Sequence, residues 1–157
     1  MKISSAKERY DGFKDFLKDK SIPESNIQLL EGCITRTEGY RATKHWLSKQ
    51  TNFQQLSATA VFCFSDYIAY GVYSALSESG LKIPDDISVM GYDNDEYSDI
   101  IYPALTTIDL LPYEIGVHSA KLMLDIIHSN SPEPDKQSKQ NIVSPKLIIR
   151  NSTKSLK

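Results

Sequence analysis

The chain has 157 residues, 40% of them hydrophobic and 24% charged, with a formal net charge of −2. That length suits one domain with a real core, and the composition is ordinary for a soluble globular protein. The charge offers no general attraction to nucleic acid, no apolar run is long enough to span a membrane, and two cysteines, Cys33 and Cys63, are too few for a disulfide framework.

In chain order, residues 2–20 read as a helix, with Ala6, Tyr10, Phe13 and Leu17 at helical spacing. Ser4 or Ser5 caps it, with Glu8 in reach of a capping box. Pro23 marks a loop, and the apolar run 27–30 reads as a short strand. A second helix starts at Thr35 or Thr37, with Tyr40, Thr43 and Leu47 on its inner face and Trp46 beside them. After a polar loop over 50–57, residues 59–64 form a β-prone apolar run that ends at Ser65 and Asp66, two good helix-start residues. The helix that follows carries Ile68, Val72, Ala75 and Leu76 on one face, and Gly80 stops it. Residues 87–90 are a second buried strand, closing on Gly91 and the acidic loop Asp93, Asn94, Asp95 and Glu96. Residues 108–111 are extended. Pro112 then opens a helix striped with Ile115, Ala120, Met123, Leu124 and Ile127. Residues 130–140 are a polar loop, and 146–150 hold a last strand. Five β-prone runs alternating with four helical ones predict an α/β fold.

The strand, helix and strand across 58–107 make a βαβ unit, and such units build parallel sheets. Ligands in open parallel sheets bind beyond the carboxyl ends of the strands. Residues 62–66 and 92–95 follow strands of one sheet, so both open on the same crevice. Enzyme chemistry is not indicated. Asp93 and its acidic neighbours lack the glycine and terminal glutamate of a calcium loop. His45, His118 and His128 have no two-ligand spacing, and no phosphate-binding glycine loop or strained nucleophile turn is present. No metal or other cofactor is expected.

Several motifs recur in a specific order. Ala60, Val61, Phe62 and Cys63 lead to Ser65 and Asp66, then Ile68, Ala69 and Gly71. Ala75, Leu76, Glu78, Gly80, Leu81, Ile83, Pro84, Asp86, Ile87, Ser88, Val89, Gly91, Tyr92 and Asp93 follow, and Pro103, Ala104, Leu105, Thr106 and Thr107 close the series. In this order and spacing the stretch resembles the effector-binding core of the lactose-repressor and galactose-repressor family of bacterial transcription regulators. The resemblance extends more loosely from Arg9 to Thr153.

The resemblance implies a parallel-sheet subdomain of the type I periplasmic-binding-protein-like fold, incomplete relative to the family's two-lobed domain. Residues 1–108 would belong to the C-terminal subdomain, 109–130 to a helix crossing into the N-terminal subdomain, and 131–157 to a polar loop and a returning strand. The helix-turn-helix that contacts operator DNA would lie outside this chain, which is then a piece of a longer protein or a shortened gene product. The helix after Pro112 would lack its partner sheet, so it packs on another surface, pairs with a second chain or is poorly ordered. The implied partners are a small sugar-like effector and a second copy of the chain, in the cytoplasm and away from membranes. A solute-binding protein for sugar transport shares the fold and is the alternative. It would carry a leader peptide, and the Gly80 to Ile87 and Leu105 to Thr107 motifs resemble regulators more.

Five residues are singled out for the ligand. Arg9 is either a solvated arginine or, as the resemblance implies, a donor to effector oxygens; a cation early in a helix sits at the unfavourable end of the dipole. Asp93 is either a turn residue or, by resemblance, the acceptor of effector hydroxyl hydrogens. Ser65 stands where many sugar-binding relatives have asparagine. Phe62 packs in the core or lines the ligand, and Ile34 stands where several relatives carry an aromatic. Asp66 reads as a structural helix-start residue. Tyr70, Ile100, Ile101 and Tyr102 are either core or, by resemblance, a dimer contact.

Overall fold

The structure, a computed structural model, describes residues 4–52, 56–128 and 142–155. Four α-helices and four strands follow among them: α1 (Ser4–Asp19), α2 (Arg36–Leu47), β1 (Ala60–Phe62), α3 (Asp66–Glu78), β2 (Ser88–Met90), β3 (Thr107–Asp109), α4 (Pro112–His128) and β4 (Lys146–Ile148). The start of α1 coincides with the first described residue, so a cap there falls outside them, as does the polar loop at 130–140.

The helix boundaries follow from local chemistry. Thr35 caps α2 with a complete capping box, its hydroxyl accepting from the Glu38 amide while the Glu38 carboxylate accepts from the Thr35 amide. Ser65 caps α3 by accepting from the Ile68 amide at 3.4 Å. At the far end Gly80 turns with φ +73, and the Gly80 and Leu81 amides donate back to the Ser77 and Leu76 carbonyls. This is a Schellman arrangement, and its apolar contact is supplied by the buried pair Leu76 and Leu81.

β1 and β2 pair in parallel, with Val61 opposite Val89. A parallel bridge joins Met90 to Thr106, which brings β3 alongside, and β4 returns antiparallel to β3 with Ile108 opposite Leu147. α2 and α3 pack against each other with small residues at the crossing. A methyl group on Gly39 would lie 2.6 Å from the Ile68 carbonyl oxygen, and one on Gly71 would collide with the Arg36 carbonyl. Below them Trp46, Leu47, Val72, Leu76, Ile87, Val89 and Leu105 form the core. Cys63 is buried within it and Cys33 is half-buried; both are free thiols.

The strand expected at 27–30 does not form. Ile27 is extended, at φ −101 and ψ 124, yet the segment makes no ladder with β1 among the described residues. A short 3-10 turn (Glu24–Asn26) precedes it and Gly32, at φ +82, follows. A cavity of about 220 Å³ separates its side chains from β1, so extended backbone finds no partner within hydrogen-bonding reach.

The stripe expected on α4 is present but uncovered. No residue of α4 is buried, and Tyr113, Met123 and Ile127 are 79%, 56% and 66% exposed. No helix is long and apolar enough to cross a membrane, among the described residues.

Two glycine substitutions separate packing from propensity. Gly71→Ala should destabilise the fold by about 1–3 kcal/mol, because α2 must retreat from the added methyl. Gly12→Ala, with nothing within 4 Å of the new methyl, should stabilise it by about 0.5–1 kcal/mol. Urea unfolding of the two variants checks both signs.

Candidate ligand-binding site

Two strand ends define a crevice. β1 leads into Cys63, Phe64 and the Ser65 cap, while β2 leads into Gly91 and Tyr92, and the amides of Cys63 and Asp66 donate across to Met90 and Tyr92 carbonyls at 2.8 Å. The two turns are therefore locked side by side. Gly91 is required there, because a methyl would collide with Asp66 Oδ1 and lie 2.9 Å from Leu105 Cδ2.

Arg9 reaches this place from α1. Its Nη1 donates to the Phe64 carbonyl at 2.6 Å, and its guanidinium carbon lies 3.9 Å from the centre of the Tyr92 ring. One contact fixes the edge of the guanidinium and the other its face, so the cation is held between the ends of β1 and β2. The remaining N–H groups make no hydrogen bond among the described residues.

Asp93 follows Tyr92 with φ +106, a conformation costly for any residue but glycine. The backbone is held there by its amide, which donates to the Ile108 carbonyl at 2.9 Å. Its carboxylate makes no hydrogen bond among the described residues. Partial burial pushes its pKa up, Arg9 pulls it down, and the nearby Asp66 and Asp95 push it further up. A strained, unbonded carboxylate within the field of a fixed arginine is a group with acceptor capacity to spare.

The other three predicted residues differ in placement. The Ser65 hydroxyl accepts from Ile68 as a cap, which leaves its hydrogen to donate at the crevice. Phe62 turns toward α1: its ring stacks on Phe13 at 5.8 Å and meets Phe64 edge-on at 5.7 Å. It lines the apolar cavity beside the 27–30 segment, as Trp46 does, whereas Arg9, Ser65 and Asp93 do not. Ile34 is 62% exposed, its amide bound to Glu38, and no contact among the described residues brings it to Arg9 or Asp93.

Asp66 lies fully buried beneath the crevice. Its Oδ1 accepts from the Thr107 hydroxyl at 2.7 Å and its Oδ2 from the Asp95 amide at 2.8 Å. Burial raises its pKa, and these hydrogen bonds oppose the rise. Among the described residues, no group of three His, Cys, Asp or Glu side chains is placed to hold a metal.

Sequence reasoning set Tyr92 at the crevice but not as the platform under Arg9, and gave no role to Arg150. Arg150 donates to the Leu105 carbonyl and to Asn94 Oδ1 at 2.7 and 2.8 Å, supporting the acidic turn from 56 residues away in sequence. Its only local signal is a basic residue directly after an apolar run.

The four residues considered for pairing divide. Ile100 and Tyr102 are 73% and 94% exposed, while Ile101 is half-buried and packs on the core. Tyr70 is buried, with its hydroxyl donating to Asp95 at 3.0 Å. A shallow recess on this face is lined by Arg36, Tyr67, Tyr97, Ile100 and Ile101 together with one side of Tyr70.

In open parallel α/β units, ligands bind beyond the carboxyl ends of the strands, where the polar groups of this chain gather. The chain belongs to the periplasmic binding protein-like domain family, which matches residues 2–153, in the form of the C-terminal effector-binding portion of lactose-repressor-type regulators. It is 33% identical over 153 residues to the HTH-type transcriptional repressor PurR of Haemophilus influenzae, a match spanning 98% of this chain and 44% of that protein. Among solved structures it resembles a LacI family transcriptional regulator from Enterococcus faecium with bound ribose, at TM-score 0.79 and 36% identity over 95% of this chain and 52% of that one. A second, from Enterococcus faecalis and also with bound ribose, gives TM-score 0.73 and 34% identity over 92% and 49%. The chain thus spans about half the length of these relatives, or less.

Asp93→Asn should raise the thermal midpoint slightly at pH 7 by removing a carboxylate whose charged form is disfavoured in the fold. The sign with pH follows from its raised pKa. Asp93 contributes fully below its unfolded value, and the contribution is lost as pH rises through the folded value. The difference between wild-type and variant melting curves from pH 3 to 8 should therefore show that decline as pH rises, the other titrating groups being common to both.

Proposed function

We propose that the chain is the ligand-sensing and pairing portion of a bacterial transcription regulator, and that its effector is a sugar or sugar derivative. The observation that carries this reading is the Arg9–Asp93 pair: an arginine pinned on Phe64 and Tyr92 beside a carboxylate with no hydrogen bond among the described residues. Adjacent hydroxyls of a sugar suit such a pair, since each hydroxyl can accept from the guanidinium and donate to the carboxylate. Ser65 adds a donor at the rim, and Tyr92 fixes the depth. The ribose held by the Enterococcus faecium and Enterococcus faecalis relatives supports the sugar class.

The crevice has one wall here. In the two-lobed arrangement of the family the effector lies between lobes, and residues from about 109 to 130 cross to the second lobe, which fits the uncovered face of α4. The effector then acts by differential affinity for two lobe arrangements, shifting their populations. Contact with operator DNA belongs to a part outside this chain. The role is non-enzymatic, needs no cofactor, and places the protein in the cytoplasm. Named relatives that are repressors and regulators support this reading over solute transport.

For pairing, the exposed Ile100 and Tyr102 with Tyr67 and Tyr97 form an apolar, aromatic face of the kind found at subunit contacts. Tyr70 supports this face from beneath, and Ile101 joins it to the core.

Two measurements test the proposal. In a thermal-shift screen of the full-length form with sugars, sugar phosphates and purines, ribose should raise the midpoint by mass action, and Arg9→Met should abolish the rise. No shift from any compound contradicts the sensing role. Tyr102→Asp, at a position 94% exposed, should convert dimer to monomer in light scattering without loss of folding; an unchanged mass rejects the pairing face.

A further inference from the structure

The turn that presents Asp93 is tied to the start of α4 by a chain of hydrogen bonds. Three residues with left-handed backbone lie along it: Asp93 at φ +106, Asn94 at +52 and Leu111 at +54. Such conformations persist only where the surroundings fix them. The turn is bound to β3 residue by residue. The Asp93 amide donates to the Ile108 carbonyl, the Asn94 amide to the Thr107 hydroxyl at 3.4 Å, and Asn94 Nδ2 to Asp109 Oδ2 at 3.2 Å. The other oxygen of Asp109 accepts from the Leu111 amide at 2.7 Å, and the Leu111 carbonyl accepts the first helical hydrogen bond of α4, from Ile115.

The Asn94 side chain is also held from behind. Its Oδ1 accepts from Arg150 Nη2 at 2.8 Å and from the Ser98 hydroxyl at 3.3 Å. The amide is thereby oriented with its nitrogen toward Asp109, and neither a reversed amide nor an alkyl group would serve. Asp109 holds the turn with one oxygen and the base of α4 with the other.

We propose that Asn94 is a positioning residue that couples the ligand-facing turn to the orientation of α4 through the two oxygens of Asp109. The part of this that concerns ligand rests on the reading of Asp93 as an effector group; the link itself does not. A shift of the turn on binding moves Asn94, Asp109 follows, and the backbone of Leu111 turns the helix that it starts. The left-handed Leu111 gives the connection a joint, and the uncovered face of α4 gives it an output.

The donor and acceptor pattern allows a reciprocal test. Asn94→Asp keeps the acceptors for Arg150 and Ser98 and tolerates the left-handed backbone, but sets carboxylate against carboxylate at Asp109. Asp109→Asn keeps an acceptor for Leu111 but sets an NH₂ group against the NH₂ group of Asn94. The double variant restores complementarity, with Asn at 109 donating to Asp at 94 while still accepting from Leu111. Amide exchange by NMR reads the joint directly. Each single variant should speed exchange at the Leu111 amide about tenfold and the double variant should restore it, with the buried Val89 amide unchanged in all three.

Unchanged Leu111 exchange in the single variants overturns the proposal. So does a double variant as fast as the singles, or a loss of protection that includes Val89 and is not repaired. A ligand arm keeps the two readings apart: ribose should slow Leu111 exchange in the wild type and lose that effect in Asn94→Asp. If ribose changes neither the amides of 92–95 nor the thermal midpoint, the effector reading fails, and the link still stands or falls on the ligand-free rates.

Discussion

The carboxylate of Asp66 holds three parts of the chain in one place. It sits on the first turn of α3, accepts from Thr107 on β3 and from the amide of Asp95, and is fully buried. Its own amide donates to the Tyr92 carbonyl, so the link between α3 and the turn after β2 runs in both directions. Burying a carboxylate is costly, and the cost is offset only if its lone pairs are met. The arrangement tolerates no methyl on Gly91, and it sets the height at which Tyr92 and Asp93 emerge. The crevice therefore inherits its shape from a fully buried group beneath it.

Above that anchor, charge is arranged with little slack. Asp66, Asp93 and Asp95 crowd one another, and Arg9 is the cation whose field reaches Asp93. Arg9 comes from a helix that touches the sheet through few groups, chiefly Phe13 on Phe62 and the guanidinium on Phe64 and Tyr92. The cavity beside the 27–30 segment lies on the same side. The segment after β4 closes the other flank: the Ser152 hydroxyl donates to the Val89 carbonyl and accepts from the Thr106 amide, and Arg150 braces Asn94. Elements distant in sequence thus converge on one turn of two left-handed residues.

Much of this was legible from the chain because the signals were local. Ser65 before an apolar helix and Gly80 after one each state a boundary through the hydrogen bonds that they make, and of the two starts open for α2 the structure takes Thr35, with Glu38 completing its capping box. The parallel β1–β2 unit followed from two apolar runs spaced by one helix. The 27–30 run failed for a nonlocal reason: β propensity specifies an extended backbone but not a partner at the correct distance, and a cavity intervenes. Phe62 illustrates the same limit, since its position at the end of β1 marked it for the ligand or the core, and only the Phe13 ring decides which way it faces. The brace from Arg150 and the contact of Tyr92 with Arg9 were illegible because they exist only once segments far apart in the chain are adjacent.

Whether Arg9 and Asp93 receive a sugar at the ends of β1 and β2 can be decided by an amide NMR titration of this chain with ribose. Chemical-shift mapping detects binding even in the millimolar range, about 4 kcal/mol. Saturable shifts should concentrate at residues 64–66 and 92–95 and at the Arg9 side chain. Shifts confined to the cavity beside 27–30, or no saturable shift at either turn, would contradict it.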